Sequence, residues 1–329
     1  MTTNRVHLIA HARPIGPDIT RFGFADADEY VAFIREHLPP PLRLTCNRRL
    51  IAAEEDPWNG GRVDDATRIR DLQSAIDDPK TVAVVAAGGG AYFSRIVPHL
   101  NLSSLARRRQ PLWTLGFSEM TTLVNLVASY RGGRGLYWLC PNWLAWHVRP
   151  VDAARSTFAE FWRVLPEILA GRQPAEISEF SFGPIQGELV TGRVRSSRVR
   201  LVGGCLAVLA ANVGGKTGHR LRPDGKWLLL EDIKESPYRI DRHLAALKVA
   251  GWLDRVAGLV AADFRMMNQD TQPAVLELLK YHLPKDRRVP IITTRSLGHV
   301  WPMVPVLLNR PLAMSVRRRD VTIENGLKA

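Results

Sequence analysis

Cysteine is scarce in this sequence: Cys46, Cys140 and Cys205 are the three in 329 residues, and they lie far apart. They form no CxxC pair and no Cys/His ligand spacing, which argues against a disulfide framework or a structural zinc site. Inert thiols in a reducing compartment are the expectation. Lysine is scarce too, with eight of the 45 basic residues, so the net charge of +13 is carried by arginine. That charge is scattered, apart from short clusters at 107–109, 193–200 and 317–319. No zinc-finger spacing and no aromatic RNA-binding signature accompanies it, so no nucleic-acid partner is expected. No apolar run is long enough to span a bilayer. The apolar run at 6–10 is too short for a signal-peptide core, and no small-residue cleavage site follows it. The expectation is a cytoplasmic protein with no membrane partner.

Nucleotide loops are missing as well. Gly88-Gly89-Gly90 follows a strand-like run but lacks the GxGxxG spacing and the later acid of a dinucleotide site. Gly214-Gly215-Lys216-Thr217 has Ala210 where a phosphate-binding loop needs its first glycine. The histidines show no metal-ligand pattern, and neither Cys140 nor Cys205 has a paired histidine signal. No cofactor and no metal are expected.

What the chain does have is material for a core, with 46% hydrophobic and 23% charged residues. Its length suits two domains, or one large one. Up to residue 129 strand-like runs (6–10, 42–45, 81–87, 112–115) alternate with helix-like ones (28–37, 64–76, 92–100, 120–129). Asp64 and Asp65 sit near the start of one helix, where acids suit the dipole. This alternation predicts an α/β fold with a parallel sheet. A Pro- and Gly-containing junction at 171–187 follows, and beyond it the pattern becomes mixed, with a period-two strand predicted over 192–201. The expected organisation is a Rossmann-like N-terminal domain over 1–170, a linker over 171–187 and a smaller mixed α/β domain over 188–329.

Three apolar runs end in chemistry-bearing residues. The run at 111–115 leads into Gly116-Phe117-Ser118-Glu119, 228–230 into Glu231, and 289–294 into Gly298-His299. Strand ends are where α/β folds gather their reactive groups, and Ser, Glu and His suggest a nucleophile, an orienting acid and a base. A serine on a strand-to-helix turn is held exposed, with the N–H of Glu119 suited to an oxyanion. The usual elbow has glycine two residues after the serine, where this chain has Met120. Taken alone, Ser118 could equally be the N-cap of the next helix.

Gly116-Phe117-Ser118-Glu119-Met120-Thr121, the run from Glu231 through Pro237-Tyr238-Arg239 to Arg242, and Gly298-His299 together resemble the LD-carboxypeptidase family of serine peptidases. That family includes muramoyl-tetrapeptide carboxypeptidases and microcin C immunity hydrolases. Asp71-Leu72 with Ala75-Ile76-Asp77-Asp78-Pro79, Gly203-Gly204-Cys205-Leu206, and Ala250-Gly251 with Leu253 and Gly258 fit the same pattern over roughly residues 60–311. The resemblance implies a Rossmann-like domain joined to a smaller one with the active site between them. Ser118 is then the nucleophile, Glu231 the triad acid and His299 the base. One of Gly88 and Gly89, with the Glu119 amide, forms the oxyanion hole. The implied reaction cleaves the bond between an L-residue and a C-terminal D-residue without a metal, on a small peptide or muropeptide. Cytoplasmic peptidoglycan recycling and a homodimer go with it.

The departures fall on the substrate side. Ala87 stands where the family carries an arginine before its glycine pair, and Gly90-Ala91 where an aromatic is expected. Cys140-Pro141-Asn142 replaces a His-Gly-Pro segment, and Ala10-His11-Ala12-Arg13-Pro14 an Ala-Pro-Ser turn. A lost guanidinium is a lost partner for a substrate carboxylate. The alternative is therefore an altered relative that binds or hydrolyses a different ligand, such as a peptidyl- or acyl-adenylate.

Overall fold

The computed structural model describes residues 4–53, 65–175, 179–267 and 269–328. The expected helix start at Asp64 lies outside the described residues, as do 176–178 of the expected linker. The chain forms two compact units, Met1–Glu179 with Leu327–Ala329, and Phe180–Gly326.

In the first unit β1 (Asn4–Ile9), β2 (Leu42–Cys46), β3 (Thr81–Ala86), β4 (Leu112–Gly116) and β5 (Gly133–Tyr137) run in the order β5-β4-β3-β1-β2. Each adjacent pair is parallel. β3 reads Thr-Val-Ala-Val-Val-Ala and is buried along its whole length, as a central strand covered on both faces must be. The strand order reverses at β1, so the C-terminal ends of β1 and β3 flank a switch point where α/β folds place their ligands. The Ala91 N–H donates to the Ala12 carbonyl at 3.2 Å, joining the loops that leave those strands. Pairing of Val85 with Leu115 brings the ends of β3 and β4 side by side. A helix over Ala27–His37 starts on Asp26, whose carboxylate accepts from the N–H groups of Asp28 and Glu29. The 19-residue helix Val151–Leu169 buries Phe158, Phe161 and Trp162 on one face. Phe158 stacks with Tyr30 at 5.5 Å between ring centres.

The second unit is a mixed sheet. It contains β6 (Ile185–Thr191), β7 (Arg198–Val199), β8 (Leu201–Cys205), β9 (Trp227–Ile233), β10 (Gly258–Met266), β11 (Gln269–Asp270) and β12 (Ile291–Thr294). β14 (Leu312–Arg317) and β15 (Asp320–Ile323) complete it among the described residues, while the two-residue β13 (Val306–Leu307) precedes them in the chain without joining this sheet. β8, β9, β10 and β12 are parallel, and β6, β15, β14 and β7 follow as antiparallel neighbours on the β12 side. The expected class, a parallel α/β domain followed by a smaller mixed one, is what the chain forms.

Several elements differ from the sequence expectation. Residues 92–100 form two 3-10 turns, Phe93–Arg95 and Val97–His99, because Tyr92 is left-handed (φ 67°) and Pro98 cannot donate to a helix. The strand expected over 192–201 is reduced to β7 and the first residue of β8. Gly192 turns the backbone left-handed (φ 80°), and the Ser196 hydroxyl bonds the Arg198 backbone as both donor and acceptor. β6 begins inside the segment expected as a linker. No described helix is long and apolar enough to cross a membrane.

Candidate active site

β4 ends at Gly116 (φ 157°), where a side chain would come within 2.9 Å of Met120 Cβ. Phe117 is extended, and Ser118 then adopts φ 56° at the head of a 3-10 turn that feeds the buried helix Thr121–Ala128. A left-handed serine costs about 1–2 kcal/mol, and such strain concentrates at functional sites. This is the sharp strand-to-helix turn the sequence predicts, reached without glycine at position 120. The turn is braced from both sides. Thr121 Oγ1 donates to the Ser118 carbonyl at 2.6 Å, and the Glu119 carboxylate accepts from the Phe93 N–H at 2.8 Å and the Ser94 N–H at 3.3 Å. Burial raises the Glu119 pKa, and those two N–H donors oppose the rise. The Glu119 side chain is thus a strut between two turns.

The glycine turn after β3 lies against the serine. A Cβ on Gly89 would sit 3.3 Å from Ser118 Cβ and 3.4 Å from its Oγ. One on Gly88 would instead meet Asp18 Oδ2 at 3.5 Å, and one on Gly90 the stem of Arg13 at 2.8 Å. The four departures from the family pattern meet here. Arg13 Nη2 donates to both oxygens of the fully buried Asp18, at 2.7 and 2.8 Å. Asp18 also accepts from Asn142 Nδ2 at 3.1 Å and Trp146 Nε1 at 2.9 Å, and Tyr30 donates to Asn142 Oδ1 at 2.7 Å. The backbone of Ala87 is tied on both sides, its N–H to Ile9 and its carbonyl to the Asn142 N–H. Sequence reading missed Asp18 and Trp146. Asp18 follows Arg13 by five residues, but nothing in that spacing signals a buried pair.

The second unit brings Glu231 and His299 together. Glu231 is the fifth residue of β9 and is fully buried. His299 Nδ1 lies 2.7 Å from Glu231 Oε2, with 7% of the imidazole side chain exposed. Gly298 makes this approach feasible: at φ 99°, its missing Cβ would be 3.0 Å from Glu231 Cβ and Oε2. Burial works against the imidazolium, but the charge and hydrogen bond of Glu231, aided by Asp232 and Asp263, raise the His299 pKa above 6.5. With Nδ1 on the acid, Nε2 is the nitrogen through which an imidazole so oriented would exchange a proton in a triad.

Two further acids escaped the sequence reading. Asp232 accepts from the Ala207 N–H at 2.8 Å and the Ile233 N–H at 2.9 Å. Burial and the neighbouring Glu231 push its pKa up to about 7. Buried Asp263 is bound by Arg295 Nη1 at 2.5 Å and Arg265 Nε at 3.0 Å. Asp232 was visible as the neighbour of Glu231, whereas Asp263 carries no motif. Ser118, Gly88, Gly89 and Glu119 belong to the first unit, and Glu231 and His299 to the second. Among the described residues no group of three or more His, Cys, Asp or Glu side chains is arranged to hold a metal ion.

Comparison with known proteins extends this picture. Residues 6–137 match the model of an LD-carboxypeptidase N-terminal domain, and residues 198–314 that of an LD-carboxypeptidase C-terminal domain. A candidate carboxypeptidase of Streptomyces coelicolor is 37% identical over 268 residues, 79% of this chain and 77% of its own length. A probable murein peptide carboxypeptidase of Bacillus subtilis is 27% identical over 270 residues, 80% of this chain and 78% of its own. Among solved structures, an MccF-like protein of Bacillus anthracis superposes with a TM-score of 0.67 at 17% identity, covering 99% of this chain and 98% of its own. A muramoyltetrapeptide carboxypeptidase of Oxalobacter formigenes gives 0.64 at 19% identity, covering 97% of this chain and 98% of its own. At these identities the superpositions speak to fold.

Proposed function

We propose that this chain, which belongs to the LD-carboxypeptidase family, is a serine hydrolase whose nucleophile is Ser118 and whose base is His299, oriented by Glu231. The observation that carries this reading is the buried 2.7 Å contact of His299 with Glu231. The left-handed serine at the end of β4 supports it. His299 Nε2 takes the proton of Ser118 Oγ as the oxygen attacks the scissile carbonyl. The tetrahedral oxyanion is held by the N–H of Glu119 and one from Gly88 or Gly89. As the intermediate collapses, His299 returns the proton to the leaving amine. Water, activated by the same imidazole, then frees the acyl-enzyme. Glu231 holds the imidazole in the tautomer this cycle needs and stabilises its charged form.

The substrate class follows from family membership and the names of the relatives: a peptide bond between an L-residue and a C-terminal D-residue, as in a muropeptide. Cytoplasmic recycling of wall fragments, by a homodimer, is the setting that goes with it. The assay is release of the terminal D-residue from a muramoyl tetrapeptide by wild type, Ser118→Ala and His299→Ala, alongside fluorophosphonate labelling. Turnover that survives Ser118→Ala would refute the nucleophile.

A second reading is favoured by the Arg13–Asp18–Asn142 network, in which Arg13 and Asn142 stand at positions where the family pattern fails. The same triad would then act on a different acyl conjugate, such as a peptidyl- or acyl-adenylate. Cleavage of an acyl-adenylate analogue in preference to the tetrapeptide would decide for it.

A further inference from the structure

The far end of the second unit carries a cavity of about 1010 Å³. Trp227 opens β9, Ala257 directly precedes β10, and Pro290 and Ile291 lead into β12, so these residues and Leu283 line it with apolar surface. Glu231 and His299 lie toward or beyond the C-terminal ends of the same strands, so this cavity is separate from the paired acid and base. Its rim is cationic. The loop after β6 supplies Arg193 and Arg195, and the segment after the helix Gln272–His282 supplies Lys285, Arg287 and Arg288, with Lys280 from the helix itself. Among the described lining residues Asp286 is the sole acid.

Some of these cations are already engaged. Arg287 donates to the Asp254 and Val256 carbonyls, Lys280 to Glu277 at 2.7 Å, and Lys285 to the Lys280 carbonyl. The guanidinium groups of Arg193, Arg195 and Arg288 form no ion pair or hydrogen bond with any described residue, and all three are exposed. The surrounding field is positive as well: Lys226, next to Trp227, has its pKa lowered by burial and then by the Arg200 charge. Like charges gathered on a concave wall repel one another, and a bound anion relieves the repulsion.

We propose that this cavity binds an oligophosphate-bearing small molecule, with Arg193, Arg195 and Arg288 holding the phosphates and the apolar floor receiving the group that carries them. Arginine suits the task because its planar fork pairs with phosphate oxygens two at a time. The volume is that of a small-ligand site, about 300–1,000 Å³, and its concave form favours a compact anion over an extended polymer. The site uses no residue of the proposed triad, so it stands or falls independently of the hydrolase reading.

Isothermal titration of the full chain at low salt tests it, with ATP, inorganic tripolyphosphate and orthophosphate as ligands. Both triphosphates should bind more tightly than orthophosphate. Arg193→Glu/Arg195→Glu/Arg288→Glu should weaken them by about tenfold for each charged hydrogen bond lost. Arg193→Gln/Arg195→Gln/Arg288→Gln, which adds no negative charge, should move affinity the same way, and Arg107→Glu/Arg109→Glu on the first unit should not. ATP binding better than tripolyphosphate would identify a nucleotide seated on the apolar floor, and equal binding an inorganic phosphate chain; either supports the site. Affinity unchanged in both triple variants, no binding of either triphosphate, or binding confined to long oligonucleotides would overturn it.

Discussion

Gly298→Ala isolates the contact on which the proposed base depends. The new Cβ would lie 3.0 Å from Glu231 Cβ and Oε2 and 3.1 Å from its Cγ, on a backbone at φ 99°. Two costs follow. Left-handed strain on a non-glycine residue is about 1–3 kcal/mol. The close contact adds to it, because Glu231 is fully buried and can yield only by moving away from the methyl group. Gly225→Ala separates the two terms: Gly225 is also left-handed, at φ 69°, but has nothing within 4 Å of its missing Cβ. Chemical unfolding should show both variants destabilised, with Gly298→Ala losing about 1 kcal/mol more, the usual scale of a small overpacking. Titration of the His299 ring by NMR should show its pKa falling toward 6.5 in Gly298→Ala alone, because the acid that raises it has shifted. Turnover should fall with it, by about tenfold for each 1.4 kcal/mol of lost imidazolium stabilisation. Equal stability losses in the two variants with an unmoved His299 pKa would show that Glu231 does not depend on the glycine.

Gly89→Ala places a methyl group 3.4 Å from Ser118 Oγ; if that turn supplies an oxyanion donor, turnover should drop by up to about 10²–10³ with little change in melting temperature, and unaltered turnover would remove Gly89 from the site. For the proposed base, kcat/KM should rise with pH along a limb above 6.5, since His299 must be neutral to accept a proton and its pKa is raised; a limb at or below 6.5 would contradict this. The stability sign is opposite, because a raised folded-state pKa contributes stability below 6.5 that is lost as pH rises through it. Asp232 titrates near 7 against 3.8 unfolded, so its protonated form contributes stability that disappears between those values, about 4 kcal/mol in all; Asp232→Asn should flatten that part of the stability–pH curve, and parallel curves would refute the shift. Ser118→Gly should be the more stable of two inactive variants, because it relieves about 1–2 kcal/mol of left-handed strain that Ser118→Ala keeps, less about 0.5–1 kcal/mol for glycine's extra chain entropy; calorimetry showing Ser118→Ala the more stable would argue against a strained elbow.

The parts of this molecule legible in its sequence are those set by local order. β3 and β9 announce themselves as apolar runs, and the acids and turns that end them mark where chemistry can sit. Glu231 was visible as the residue after such a run and His299 as one five residues beyond another, yet their 2.7 Å contact was not, because it depends on neighbouring strands and on a glycine whose role appears only in three dimensions. The 3-10 turns at 93–99 were misread as helix because apolar spacing outweighed one proline. The loop at 192–197 was misread as strand because alternating arginines imitate a half-buried face. Those arginines are exposed and line the basic cavity with Arg288 from a segment almost a hundred residues later.

Ala87 shows how a departure in sequence can be compensated in space. An arginine there would have to replace a fully buried methyl group on a residue whose N–H and carbonyl are both hydrogen-bonded. The chain instead brings a guanidinium from position 13, its stem over Gly90 and its Nη2 on Asp18 beside Gly88. The cation is therefore present at the glycine turn in position but not in state. A carboxylate already neutralises it, and Asn142 and Trp146 hold that carboxylate in place. A substrate carboxylate approaching this turn would have to share Arg13 with a buried partner that cannot leave. The sequence departures at 13, 87 and 142 thus act as one change, and restoring arginine at 87 alone would not recreate the family's cation.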